Sequence, residues 1–536
     1  MCYNYFIMSF AKVFSAQTVL LRPHIINVEI DLSKGLHTFS LIGLASKEVD
    51  EAKDRVGAAI KNSGFTSPKQ KNQKIVVSLA PADIKKEGPL FDVPIALAYL
   101  IASGDIKFNP EEKLFIGELA LDGSVRPVRG VLPIVKFAKD QNYTEVYVPL
   151  ENADEALLVE GIDVYGISNL RELIDHLNER NIDLDDGGLE EDFVNKKLSP
   201  LQRNLNDLLT GENILEIDVD FADVKGNESA KRGLEIAAAG GHNISMWGPP
   251  GTGKTMLARA FRHLLPELSL DDQLEVTSIH SVAGALHNSL VRVPPFRAPH
   301  HTSSYVSLVG GGAIPKPGEV TLAHKGVLFL DEFPEFETRV IDALRQPLED
   351  RVVTVSRAKG TAQFPAQFIL VAAMNPCPCG NFQSRDKECI CSPIVISKYQ
   401  RKISGPIVDR IDMWVEVSKV KHGELMEKAN GETTEDVRKR VVQARELQKQ
   451  RFFANGLKIK TNSEMNSKNV IACANLCGSS KKILDMSANK IGLSARGYHR
   501  VVKLARTIAD LAKSEEILDL HILEALQYRP KSFSSF

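Results

Sequence analysis

The run Gly248-Pro249-Pro250-Gly251-Thr252-Gly253-Lys254-Thr255 follows the pattern G-x-x-x-x-G-K-[ST]. Glycines let such a backbone curl until its N–H groups point inward at a polyphosphate. Lys254 adds a cation for the β- and γ-phosphates, and Thr255 offers a hydroxyl to Mg²⁺. Downstream, Gly326-Val327-Leu328-Phe329-Leu330-Asp331-Glu332 ends an apolar run in two carboxylates. Asp331 suits the Mg²⁺ shell, and Glu332 suits a general base that polarises water. Together these groups predict ATP and Mg²⁺ as ligands, and paired acids favour hydrolysis over simple nucleotide storage.

Such chemistry needs elements to position it. Asn243 to Trp247 reads as a strand entering the loop, and Met256 to Leu264 as a helix leaving it. The phosphates would then sit at a helix N-terminus. Val327 to Leu330 reads as a buried parallel strand that delivers the acids at its C-terminal edge. Phe368 to Ala373 reads as the strand beside it, ending just before Asn375. A neutral amide there can orient water without adding negative charge.

The chain has 536 residues, 43% hydrophobic and 25% charged, which is an ordinary globular composition long enough for several domains. A net charge of −2 excludes a global basic field, so any nucleic-acid surface must be local. No apolar run of about 18 residues occurs, which predicts no membrane span. Met1 to Phe10 lacks the pattern of a signal peptide. Seven cysteines are too few for a disulfide scaffold, and the expected location is the cytoplasm.

Residues 8–175 alternate β-rich runs (Val28 to Leu32, Ile75 to Leu79, Glu145 to Val148) with helical spacing at Val49 to Ser63 and Pro94 to Ala102. Residues 176–215 read as a linker, acidic from Leu184 to Asp192. An ATPase core is expected over 216–417 and a helical lid over 418–536, where Thr433 and Asp436 suggest a capping box.

The core carries further motifs: Phe296-Arg297-Ala298-Pro299-His300-His301-Thr302, Val309-Gly310-Gly311-Gly312, Pro317-Gly318-Glu319, Leu322-Ala323-His324, Asn375-Pro376-Cys377-Pro378-Cys379-Gly380, Ser404-Gly405-Pro406 and Asp409-Arg410-Ile411-Asp412. This set closely resembles the magnesium-chelatase-like AAA+ ATPases, and specifically their bacterial competence branch, from Met8 to about Arg529. Residues 1–7 have no counterpart and read as an extension. The resemblance implies a P-loop AAA+ core with a helical lid, working as a homo-hexamer. It also implies a DNA helicase that drives branch migration of single-stranded or branched DNA in natural transformation and recombination. It assigns Asn375 to the polar sensor beside the γ-phosphate, Arg410 to the arginine finger offered to a neighbour's ATP, and Arg496 to the second sensor on the lid. From the residues alone, Asn375 is equally a turn residue and Arg410 a surface ion-pair partner. The rival reading is a protein-remodelling chaperone of the chelatase type.

The N-terminal region resembles the α+β Lon protease domain, of ribosomal S5 type, at Lys86-Glu87-Gly88-Pro89 and Gly117-Glu118-Leu119. Leu90 and Leu132 stand where that family places its Ser-Lys dyad, so the fold is expected without peptidase chemistry. Cys377, Cys379, Cys389 and Cys391 form C-x-C-x₉-C-x-C, which is either a Zn²⁺ site or a set of reduced thiols. The segment Arg351 to Thr361 favours a strand and a hairpin tip at Lys359-Gly360, with Phe364 to Leu370 returning. It resembles the channel-facing hairpin of minichromosome-maintenance helicases. Arg357 and Lys359 would then touch DNA phosphates.

Overall fold

The computed structural model describes residues 9–44, 46–178, 197–202, 217–286, 288–312, 316–357, 360–382, 387–420 and 431–530. The expected extension 1–7, most of the expected linker 176–215, and Lys359 lie outside them. The chain divides into two units, Met1–Glu212 with Leu274–Val291, and Asn213–Gln273 with Arg292–Phe536.

The first unit is built on a seven-stranded sheet. Its order is Thr38–Ile42, Gln73–Ala80, Arg22–Lys34, Phe10–Val19, Lys113–Phe115, Glu145–Pro149 and Asp163–Ile167. Phe10–Val19 pairs antiparallel with Arg22–Lys34, and the last four strands run parallel. The expected strand runs all lie in this sheet, and the expected helices appear as Lys47–Asp50, Ala52–Asn62 and Asp92–Ala102. Asp92–Ala102 is apolar on every side and buried at all but one position, as a helix enclosed by a core must be.

Leu274–Val291 falls in the sequence range expected for the ATPase core, yet it belongs to the first unit. Ser281 Oγ accepts the Gly130 N–H at 2.9 Å, and Leu290 packs with Leu132 and Leu158. Apolar and polar partners therefore both draw this insertion away from its sequence neighbours. Such a preference is set by contacts far along the chain, which periodicity does not report.

The second unit holds a five-stranded, wholly parallel sheet. The strands run in the order Phe296–Arg297, Val327–Leu330, Ile369–Met374, Ile244–Trp247, Met413–Glu416. Ile244–Trp247 lies between Ile369–Met374 and Met413–Glu416, with Trp247 opposite both Met374 and Glu416. The loop after Trp247 and the residue after Met374 thus emerge level at one edge. Helices Thr434–Ala454, Ala495–Leu511 and Asp519–Gln527 share the apolar core of this sheet. Thr433 caps the first of them, accepting the Asp436 N–H at 3.2 Å and donating to its carboxylate at 2.7 Å.

Asp92, at the start of the buried helix, is fully enclosed and accepts two hydrogen bonds from Arg55, at 2.6 and 3.0 Å, and one from the Leu119 N–H at 3.2 Å. Burial pushes its carboxyl up to about 6 even against Arg55. Removing Arg55 would leave that carboxylate buried and unpaired. Arg55→Ala should destabilise the first unit by about 3 kcal/mol in urea unfolding. Adding Asp92→Asn in that background should recover about 1 kcal/mol. Equal stability of the single and double variants would show that the pair is not what holds this helix start.

Candidate functional site

The glycine loop closes because its backbone can. Gly251 and Gly253 have φ of 73° and 88°, a region costly for any residue with a side chain. A Cβ on Gly248 would lie 2.0 Å from the Val417 carbonyl oxygen, so only glycine lets strand and loop meet there. The helix Lys254–Leu264 begins within the expected motif, two residues earlier than its apolar spacing suggested.

The Lys254 ammonium is buried and points back into the loop. It donates to the Gly248 and Pro249 carbonyls, both at 2.8 Å, and to Asn375 Oδ1 at 3.2 Å. Burial pulls it down to about 8, against the favourable charge of Asp331. Thr255 Oγ1 donates to Asp331 Oδ2 at 2.8 Å. A buried cation, a hydroxyl–carboxylate pair and a loop curled at Gly251 and Gly253 fit Mg²⁺–ATP: Thr255 and Asp331 supply the hard oxygens that Mg²⁺ prefers.

Glu332 has φ of 50°, a left-handed conformation that turns the chain sharply where the strand ends. Its Oε2 lies 3.1 Å from His301 Nδ1. A cavity of about 320 Å³ is lined by Thr255, Arg259, Phe296, His301, Asp331 and Glu332. His301 and Arg259 were not assigned to the site from sequence. Arg259 carried a usable signal, since it lies one helical turn after Thr255 on the same face. His301 carried only adjacency to the motif Phe296 to Thr302, because no local spacing reports a contact with Glu332.

Arg410 and Arg496 come together at a different place. Arg410 Nε lies 3.2 Å and Arg496 Nη2 3.6 Å from the two oxygens of Glu349. Neither arginine lines the cavity at Thr255 and Glu332. Two residues beyond Arg410, Asp412 is buried, accepts the Asn243 N–H at 3.0 Å and bonds Arg500. Burial alone would raise its carboxyl, but Arg500, His242 and Asn243 hold it well below the usual range. The Asp412 anchor thus fixes the turn that presents Arg410.

Val352–Arg357 and Gly360–Pro365 pair antiparallel, from Val352↔Pro365 to Arg357↔Gly360. The returning strand ends at Pro365, not Leu370, because Ile369–Met374 is taken up by the parallel sheet. In the first unit Leu132 is buried and Leu90 packs at the margin of two cores, so both positions carry only apolar side chains. Among the described residues, the four clustered cysteines have their sulfurs within 4.8 Å of one another, and no helix is long and apolar enough to cross a membrane.

The lowered Lys254 pKa sets a pH dependence. The free site loses its cation as pH rises through about 8, whereas a bound polyphosphate favours the charged form. Affinity for a fluorescent ATP analogue should therefore fall above pH 8, approaching about tenfold per pH unit. Lys254→Ala should bind weakly at every pH with that dependence gone. A wild-type affinity that stays flat well above pH 8 would mean that this ammonium does not carry the binding.

Comparison with known proteins covers nearly the whole chain. Residues 220–425 match the family described as magnesium chelatase, subunit ChlI. Residues 28–152 match subunit ChlI of Mg-chelatase, and residues 431–529 match the ChlI C-terminal family. Competence protein ComM of Haemophilus influenzae is 41% identical over 526 residues, covering 97% of this chain and 98% of that protein. YifB of Escherichia coli (strain K12) is 40% identical over 507 residues, 94% of each. The magnesium-chelatase 67 kDa subunit of Heliobacterium mobile is 28% identical over 189 residues, 29% of this chain and 28% of that protein. Family membership suggests an ATPase. With the parallel sheet, the glycine loop and near-complete coverage in agreement, the chain belongs to the magnesium-chelatase-like AAA+ family, together with competence protein ComM and YifB.

Proposed function

We propose that the chain is an ATP-driven DNA motor of the helicase or branch-migration type, a homo-hexamer acting in the cytoplasm during natural transformation and recombination. The observation that carries this reading is the 41% identity to a competence protein along nearly the whole chain. The nucleotide geometry supports it. Lys254 would bind the β- and γ-phosphates in place of its present carbonyl acceptors. Thr255 and Asp331 would hold Mg²⁺, which when bound neutralises charge on the phosphates. Glu332 would take the proton of the attacking water, and His301, 3.1 Å away, would orient that carboxylate. Asn375, already beside Lys254, would position water through its amide. Arg410 would exchange Glu349 for a neighbouring subunit's phosphates, and Arg496, on the same carboxylate, would act as the second sensor on the lid.

The first unit would keep the Lon-like fold without its peptidase chemistry, since leucine at 90 and 132 offers neither nucleophile nor base. The second reading, a protein-remodelling chaperone of the chelatase type, draws on the three chelatase family matches. The two separate cleanly by what stimulates turnover. ATPase rates measured with branched DNA, single-stranded DNA and unfolded protein should rise with DNA and not with protein. Stimulation by unfolded protein alone would overturn the DNA reading.

Glu332→Gln should bind nucleotide as wild type but hydrolyse about 10²–10⁴-fold more slowly, because an amide can hold water but cannot accept its proton. Near-normal single-turnover hydrolysis would remove Glu332 from that role.

The hairpin Val352–Arg357 with Gly360–Pro365 would carry the DNA contact through Arg357 and Lys359. Weak phosphate contacts repeated around a ring add up through avidity. Arg357→Ala with Lys359→Ala should leave basal ATPase intact, lower DNA stimulation and flatten the salt dependence of DNA binding. Unchanged binding at several salt concentrations would place the DNA grip elsewhere.

A further inference from the structure

The turn that follows Asn375 gathers four sulfurs. Cys377 Sγ lies 3.3 Å from Cys379 Sγ and 3.7 Å from Cys389 Sγ, and Cys379 and Cys389 are 3.6 Å apart. With Cys391, all four fall within 4.8 Å of one another. A zinc–thiolate bond of about 2.3 Å gives a tetrahedron whose sulfur–sulfur edge is about 3.8 Å. The three distances of 3.3 to 3.7 Å lie close to that edge. It is far longer than the roughly 2.05 Å of a disulfide, and three sulfurs at near-equal spacing do not separate into bonded pairs. The short C-x-C spacing is no obstacle to chelation here, since each pair can supply two corners of one tetrahedron. The Phe382 N–H donates to Cys377 Sγ at 3.3 Å, the kind of outer bond that steadies a thiolate ligand.

The same turn presses on the nucleotide loop. Gly380 has φ of 77°, and a Cβ there would lie 2.5 Å from Pro250 Cδ, so its backbone sits directly against the phosphate loop. Asn375, two residues before Cys377, reaches Lys254 at 3.2 Å. Gln400 Nε2 donates to the Pro376 carbonyl at 3.4 Å, holding the intervening residue. Whatever orders the cysteines therefore orders Pro250 and Asn375 as well.

We propose that Cys377, Cys379, Cys389 and Cys391 bind one zinc ion, and that this zinc braces the phosphate loop and Asn375. Zinc enters as four thiols release four protons, with no change of oxidation state. The brace rests on the nucleotide reading above; the metal site does not.

Full-length protein purified without chelator should contain one zinc per chain by elemental analysis. Cobalt added to the metal-free wild type should produce the intense visible band of a tetrahedral tetrathiolate site. Cys377→Ser and Cys389→Ser should lose that band, while Cys473→Ser and Cys477→Ser should keep it. Wild type with little zinc and no cobalt band, or peptide mapping that finds the four cysteines in disulfides, would overturn the metal site. The brace is read separately, with a fluorescent ATP analogue on metal-free and zinc-reloaded wild type. Binding should weaken by about tenfold without zinc. Equal affinities would overturn the brace alone. Failure of both forms to bind the analogue would sink the nucleotide reading, and the brace with it, while the metal site stood on its own measurements.

Discussion

The hydrogen-bond register that seats Ile244–Trp247 between Ile369–Met374 and Met413–Glu416 is the constraint on which the rest of the site depends. Because Trp247 lies level with Met374, Gly248 and Asn375 leave the sheet side by side, and the Gly248 N–H reaches the Met374 carbonyl at 3.2 Å. On the other side of Ile369–Met374, Leu330 pairs with Ala372, so Asp331 emerges at the same edge. A slip of one residue in any of these strands would send the following side chain to the opposite face. The register is secured by burial: every residue of Ile369–Met374 and Val327–Leu330 is enclosed, as expected of parallel strands covered on both faces.

Several of the charges around that edge are held by partners. Lys254 rests on carbonyl oxygens that leave its ammonium poised for a stronger anion. Glu349 holds Arg410 and Arg496 together, and Asp412 anchors the backbone between Arg410 and the five-stranded sheet. Arg506, fully buried, is satisfied by Asp510 at 3.1 Å and by the Glu515 carbonyl at 2.8 Å, which makes it a structural cation of the helical region. Of the two arginines on Glu349, Arg496 is exposed and Arg410 mostly enclosed, whereas moving the fully buried Arg506 would leave its partners desolvated and unpaired.

The cysteine turn adds a second fastening to the same edge. Asn375 and Pro250 lie on separate loops, and Gly380 is the point at which the turn after Asn375 meets the glycine loop. Close packing of this kind transmits displacement, since neither backbone can move without the other.

Much of the site was legible in the sequence, because its chemistry is local. The glycine loop needs specific residues at fixed spacing to reach left-handed backbone angles, and the apolar runs before Asp331 and Asn375 are the signature of buried parallel strands. The strands around Val28, Ile75 and Glu145 and the cap at Thr433 were legible for the same reason. What only the tertiary structure decided are the meetings between distant segments: His301 with Glu332, Arg410 and Arg496 on Glu349, Leu274–Val291 in the first unit, and four sulfurs on one turn. Periodicity and motif spacing describe a residue's own element. They do not report which other element lies against it, because that choice is made by the packing of the whole core and by where each desolvated charge can find a partner.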